Sequence, residues 1–221
     1  MFTAAFFPDR AAPVMLGLYA GGVLLGIIYG FLLNKTNRAG KSAPFILELP
    51  PYRIPSAKST WQLIWMRIKD FISRAFTIIL LISVVIWFLQ SFNYSFVMTP
   101  DSGLSMLASL GRRIAPLFGP LGFSDWRAPT ALIVGFSAKE AVIGSLIVLM
   151  GNEPINAVFT PLSAASFLIF TLLYTPCAAA IAVARRELGS GTGALKLVIF
   201  QTCLVYAAAL IFYQLMRLLL K

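Results

Sequence analysis

The chain has 221 residues, of which 59% are hydrophobic and 12% charged, with a net charge of +10. Several apolar runs approach the roughly 20 residues that a helix needs to cross hydrocarbon, which excludes a soluble globular domain and predicts an all-α, polytopic membrane helix bundle with five or six membrane-embedded segments, two of them broken. Two cysteines and no histidine exclude a disulfide scaffold and any histidine-based metal site, and basic residues gathered beside the apolar runs argue for a lipid surface rather than nucleic acid.

The first apolar run, residues 14–33, is too long for the core of a secretory signal, and no small-residue cleavage site precedes Asn34 and Lys35. It is read as a retained N-terminal span, domain 1–33. Gly22, Gly26 and Gly30 recur every four residues along it and offer one smooth face for a neighbouring helix.

Residues 34–74 form the second region. Lys35, Arg38, Lys41, Arg53, Lys58, Arg67, Lys69 and Arg74 stand against only Glu48 and Asp70, which by the positive-inside rule makes this loop cytoplasmic. Pro50, Pro51 and Pro55 remove backbone donors and hold their predecessors extended, so the connector around Glu48 and Arg53 is not helical. From Thr60, Trp61, Ile64, Trp65, Ile68, Phe71, Ile72 and Ala75 recur at helical spacing. This predicts an interfacial amphipathic helix anchored by Trp61 and Trp65 that runs directly into the next span, residues 75–92. Gly40-Lys41-Ser42 and Asn34-Lys35-Thr36-Asn37 each resemble part of a nucleotide-binding loop. The first lacks the glycine five positions earlier and a preceding strand, and the second lacks the closing aspartate, so neither supports a GTPase.

Residues 75–221 are read as a gate-type transmembrane domain. Weaker apolar character marks residues 104–123, and stronger runs cover 128–150, 164–184 and 194–219. Ser124 or Asp125 can cap a helix whose first turn tolerates Pro129. In the run 128–150, Lys139 and Glu140 stand side by side, although an ionisable group at the bilayer centre costs roughly 2.5–3.5 kcal/mol. Neighbours on a helix point about 100° apart, so the two need separate partners. Gly135 and Gly144 make this helix locally weak, and Ser137, Glu140 and Gly144 share one face by the three and four spacing, which suits a cation or proton site.

The run 164–184 is interrupted at Thr175-Pro176-Cys177, where Pro176 frees the Leu172 carbonyl from the helical ladder. Cys177 offers a soft sulfur that suits later transition metals, and Tyr174 and Thr175 add hydroxyls; a buried cysteine can equally be a small hydrophobe. Cys203 lies in an unbroken run and reads as structural. Five simple crossings would place Arg185, Arg186 and Lys196 outside, against the positive-inside rule, so one interrupted segment is expected to be re-entrant or part of a pseudo-symmetric pair of broken helices.

Several motifs in order resemble the ferrous iron transport protein B (FeoB) family, in its C-terminal membrane portion. They are Pro44-Phe45 with the Glu48 to Pro55 connector, Arg74-Ala75 and Val85-Ile86-Trp87, Asp125-Trp126, Gly135 through Glu140, Leu173 through Cys177, and Arg186-Glu187. Alanine at 179 and 180 departs from the threonine often found after the cysteine motif. The resemblance implies a multi-pass permease of the bacterial cytoplasmic (inner) membrane that moves ferrous iron inward. Cys177 and Glu140 would be metal ligands, and Ser137, Lys139, Tyr174, Thr175, Pro176 and Gly135 would line the path. No catalytic residue and no permanently bound cofactor are expected. GTP would enter only through a domain outside this sequence, on an N-terminal half of the same or another polypeptide, which makes the chain a fragment, a split-gene product or a truncated member. A homo-oligomer is compatible with the same residues. Two other readings remain open: a gate-type permease for a nucleoside-like solute, and a non-transporting scaffold subunit.

Overall fold

The computed structural model describes residues 3, 6–35, 55–174 and 178–219. The proline-rich connector, Thr175, Pro176 and Cys177 lie outside the described residues. Within them the chain is helical: α1 is Ala11–Lys35, α2 Ala57–Ser91, α3 Met106–Ile114, α4 Arg127–Gly135, α5 Ala141–Met150, α6 Pro161–Leu173, α7 Ala178–Glu187 and α8 Gly191–Leu219. A 3-10 segment, Ala115–Leu121, joins α3 to the loop before α4.

Three segments are long and apolar enough to cross a membrane: Pro8–Phe31, the interrupted Pro161–Glu187 and Gly191–Leu219. Helix α2 is one unbroken element of 35 residues, about 52 Å at 1.5 Å per residue. Its amphipathic first half and apolar second half are therefore continuous, and the division drawn at residues 74 and 75 falls inside it. The helix starts three residues before Thr60, because the Ser56 hydroxyl accepts from the Ser59 backbone N–H at 3.3 Å and satisfies one donor of the first turn. Trp61 and Trp65 are both exposed on it.

The largest difference from the sequence expectation lies in residues 128–150. They do not form one helix. Helix α4 stops at Gly135, residues 136–140 turn, and α5 runs back packed against α4. The Arg127 guanidinium at the start of α4 pairs with the Glu153 carboxylate just after α5, at 2.6 Å. Both ends of the hairpin therefore open on one side. Its arms hold 9 and 10 residues, about 14–15 Å of helix, which is half of a roughly 30 Å hydrocarbon core. The segment is a helical hairpin, neither arm of which is long enough to cross by itself. Beside it stand the long apolar segments Pro8–Phe31, Pro161–Glu187 and Gly191–Leu219, with the shorter apolar run Ile79–Ser91 at the end of α2.

Side-chain packing accounts for the hairpin where local sequence does not. Its buried face, with Ala128, Ala131, Leu132, Val142 and Leu146, joins Phe167 and Phe170 of α6, Val205 and Ala209 of α8, and Leu121 and Phe123 in one hydrophobic core. Phe123 meets Phe167 edge-on at 5.3 Å between ring centroids, and Phe118 meets Phe170 in the same way at 5.3 Å. Helix α3 lies against α4 so closely that a Cβ at Gly111 would overlap the Thr130 hydroxyl. Helix α8 is tied to the 3-10 segment by Tyr206, whose hydroxyl donates to the Leu117 carbonyl at 2.7 Å, and by Gln214, whose Nε2 donates to the Pro120 carbonyl at 2.9 Å. Helix α1 makes fewer contacts, and Gly22 is the glycine of its smooth face that touches another element, through Leu172 and Leu173 of α6.

Candidate functional site

Asp125 begins the site-bearing hairpin: its carboxylate accepts from the Arg127 backbone N–H at 2.9 Å, satisfying a donor at the helix start. Thr160 begins α6 through a capping box with Ser163, with Pro161 at the first helical position, where its missing N–H costs nothing. These two starts aim α4 and α6 from the hairpin mouth toward the same depth.

There the two interruptions meet. The hairpin tip is built from tight turns in which Phe136 N–H donates to Ile133 and Ser137 N–H to Val134, at 3.1 and 3.0 Å. A helix end at membrane depth leaves carbonyls and amides that water cannot reach, so they must find partners in the protein. Lys139 Nζ donates to the Leu172 carbonyl at 2.6 Å and to the Tyr174 carbonyl at 3.4 Å, both at the end of α6. In return, the Ala178 N–H at the start of α7 donates to the Phe136 carbonyl at 3.0 Å. Each break completes the other. A positive charge at a helix C-terminus is also favourable to the helix dipole, and Lys139 Nζ lies 5.2 Å from the Tyr174 ring centroid, over its negative face.

Tyr174 is buried, stacks on Phe170 at 5.9 Å between centroids, and points its hydroxyl at the Leu132 carbonyl, 3.5 Å away. Gly135 is what lets it in: a Cβ there would overlap both the Tyr174 hydroxyl and Val142 Cγ2. Ser137 is buried, and its hydroxyl donates to the Val134 carbonyl at 2.8 Å.

Glu140 takes a different place from the one a continuous helix predicts. It is exposed at the start of α5, as is Gly144, while Ser137 is buried in the turn before it. The three do not share a helical face, because the turn of residues 136–140 resets the angular register between them. Among the described residues no group of three cysteine, aspartate or glutamate side chains is gathered as a metal cage. Lys139, Gly135, Ser137 and Tyr174 are thus brought together, and Glu140 sits at the tip beside them. Cys203 is exposed on α8. Sequence reasoning missed the Phe136 carbonyl and Ala178 amide, whose roles are invisible in side-chain identity, and the Arg127 to Glu153 pair, whose members are 26 residues apart.

Residues 72–191 match the Gate family, described as nucleoside recognition, and residues 15–67 match the ferrous iron transport protein B C terminus. The chain is similar to the Fe(2+) transporter FeoB of Staphylococcus aureus (strain MSSA476), 36% identical over 220 residues that cover 97% of this chain and 33% of that protein. It is similar to the Fe(2+) transporter FeoB of Methanocaldococcus jannaschii, 37% identical over 224 residues, covering 96% of this chain and 33% of that one. An Fe(2+) transport protein A/Fe(2+) transporter FeoB fusion protein of Porphyromonas gingivalis is 27% identical over 268 residues, covering 97% of this chain and 32% of the relative. No solved structure matches the chain. The chain spans about a third of the length of the curated relatives it matches. Taken with the multi-pass helical architecture, these matches place it: the chain belongs to the ferrous iron transport protein B (FeoB) family, of which it carries the Gate region and the C-terminal membrane segment.

Proposed function

We propose that this chain moves ferrous iron across the cytoplasmic (inner) membrane into the cell, as the C-terminal part of a FeoB-like permease. The observation that carries the reading is the junction of two interrupted helices, closed by Lys139 on the Leu172 carbonyl, in a chain similar to proteins named Fe(2+) transporters. Irregular backbone at membrane depth is tolerated where it is buried in protein or lines a cavity, and transporters place their ion sites at such breaks.

In this reading Cys177 supplies a soft sulfur and Glu140 a carboxylate to the passing iron, a donor pair suited to a borderline divalent metal. Ser137, Tyr174 and Thr175 provide hydroxyls along the path, Pro176 and Gly135 keep the two breaks open, and Lys139 holds them together. Residues 34–74 face the cytoplasm, with Trp61 and Trp65 as the interfacial anchor. Residues 1–33 serve as the N-terminal span and 75–221 as the gate-type domain. A GTP-binding domain, on the same or another polypeptide, regulates the permease; the chain itself performs no catalysis and holds no resident cofactor. Homo-oligomers fit the same arrangement.

The test is ferrous uptake under reducing conditions, in cells without other iron importers that co-express this chain with an N-terminal FeoB half. Cys177→Ser and Glu140→Gln are expected to lose uptake at matched membrane levels. Normal uptake by both variants would overturn the ion path. The description of the Gate family as nucleoside recognition favours one second reading, a permease for a nucleoside-like solute. Insensitivity to thiol reagents together with stabilisation by such a solute would support that reading instead.

A further inference from the structure

Helix α1 touches α6 and α8 toward its C-terminal half. Tyr29 meets Phe200 of α8 at 5.4 Å between ring centroids, and a Cβ at Gly22 would lie 3.5 Å from a Leu173 methyl of α6. On the N-terminal side of these contacts the three helices enclose a cavity of about 550 Å³. It runs from Val14 to Leu25 on α1, beside Pro161 to Leu173 on α6, with Met216 and Ala208 of α8 on its third side. Among the described residues its lining is wholly apolar. Gly17 and Gly21 widen it, since a Cβ at either would meet nothing within 4 Å.

The length of the cavity selects its occupant. From Val14 to Leu25 the axis of α1 rises about 16 Å, close to half of a roughly 30 Å hydrocarbon core, which is one leaflet. A transmembrane helix from another polypeptide would need the full thickness, and the contact of Gly22 with Leu172 and Leu173 stands in its way. A flexible hydrocarbon tail can end there. Cavities lined in this way stay dry and take apolar molecules.

Arg10 marks the opposite end. It precedes Val14 by four residues, so the two lie about 40° apart around the axis, whereas Asp9 lies about 140° from Val14. The Arg10 side chain is exposed and in no ion pair among the described residues. A guanidinium binds a phosphate through two parallel hydrogen bonds. The chain thus presents an apolar slot one leaflet long with a cation at the end where a headgroup lies.

We propose that this slot is a phospholipid site: one acyl chain fills the cavity between α1, α6 and α8, and the lipid phosphate is held by Arg10. The bound lipid supplies the packing that α1 lacks along its N-terminal half. The site is independent of the transport reading, and its test reads lipid and not iron.

The chain is reconstituted into vesicles of phosphatidylethanolamine and phosphatidylglycerol that carry a trace of phosphatidylglycerol with a diazirine midway along one acyl chain. After irradiation, peptide mass spectrometry is expected to find the label concentrated on slot residues such as Leu18 and Ile169. Gly21→Leu, which places a side chain in the open slot, is expected to lower that labelling about tenfold, equivalent to about 1.4 kcal/mol, or about two methylenes kept out of the slot. Gly26→Leu is the control: it also has open space around it but does not line the slot, and it is expected to label as wild type. Arg10→Gln is expected to lower labelling about fivefold and Arg10→Lys to keep most of it. Neither glycine replacement is expected to lower the melting temperature, because leucine is the better helix former. Label spread evenly over the exposed apolar faces, or wild-type labelling of Gly21→Leu, would overturn the site. So would cross-linking of Leu18→Cys, by a short bifunctional maleimide, to a co-expressed N-terminal FeoB half, which would assign the slot to a helix of that half.

Discussion

Lys139 and Leu172 are 33 residues apart in sequence and joined at 2.6 Å, ammonium to carbonyl, so that the tip of a helical hairpin closes the end of an interrupted span. The lysine is costly at this depth only while unpartnered. Here the carbonyl that it reaches is one that the end of α6 leaves outside the helical ladder, and the two deficits cancel.

Removing the ammonium should therefore uncap α6. Hydrogen bonds to a charged group contribute about 1.5–3 kcal/mol, so Lys139→Ala should lower stability by about that amount and leave the Leu172 and Tyr174 carbonyls without this donor. Thermal unfolding in detergent micelles would read it. A melting temperature equal to wild type would show that the lysine does not hold the junction.

Gly135 has a steric prediction. A Cβ there meets Val142 and the Tyr174 hydroxyl, and overpacking of this kind costs about 1–3 kcal/mol. Gly135→Ala should destabilise the hairpin, and adding Tyr174→Phe, which removes the colliding oxygen, should restore part of the loss. Additive destabilisation by the two changes would contradict the contact.

The Arg127 to Glu153 pair should matter less. The Glu153 side chain is 55% exposed and that of Arg127 18%, and exposed pairs contribute about 0–1 kcal/mol. Glu153→Gln is expected to cost under about 1 kcal/mol, with a coupling in a double-mutant cycle with Arg127→Gln that shrinks as salt is raised. A coupling larger than the effect of Lys139→Ala would reverse this ranking.

Topology offers a direct check of the hairpin. With residues 128–150 re-entrant, Asn152→Cys should be labelled by an impermeant thiol reagent from the outer face and Ser190→Cys from the cytoplasmic face. A single crossing by residues 128–150 would exchange the two results.

Membrane class, helical composition, the long apolar segments and the interruption before Ala178 were legible in the chain, because apolar length and proline chemistry act locally. So was the need of Lys139 for a partner away from Glu140, since neighbouring helical side chains diverge. Which segment folds back on itself was not. Between Ala131 and Met150 no proline marks a break, Gly135 and Gly144 are weak signals that do not say where the chain turns, and the apolar run has the length of one span. What bends the chain back is packing against α6 and α8, together with the demand that backbone groups at the tip find donors and acceptors. Those partners, the Leu172 carbonyl and the Ala178 amide, come from a segment more than 30 residues away. The register of Ser137, Glu140 and Gly144 changed for the same reason. Sequence determined which segments enter the membrane; the tertiary structure decided which of them turns back, because a backbone amide or carbonyl removed from water must be paired by whatever the fold brings within reach.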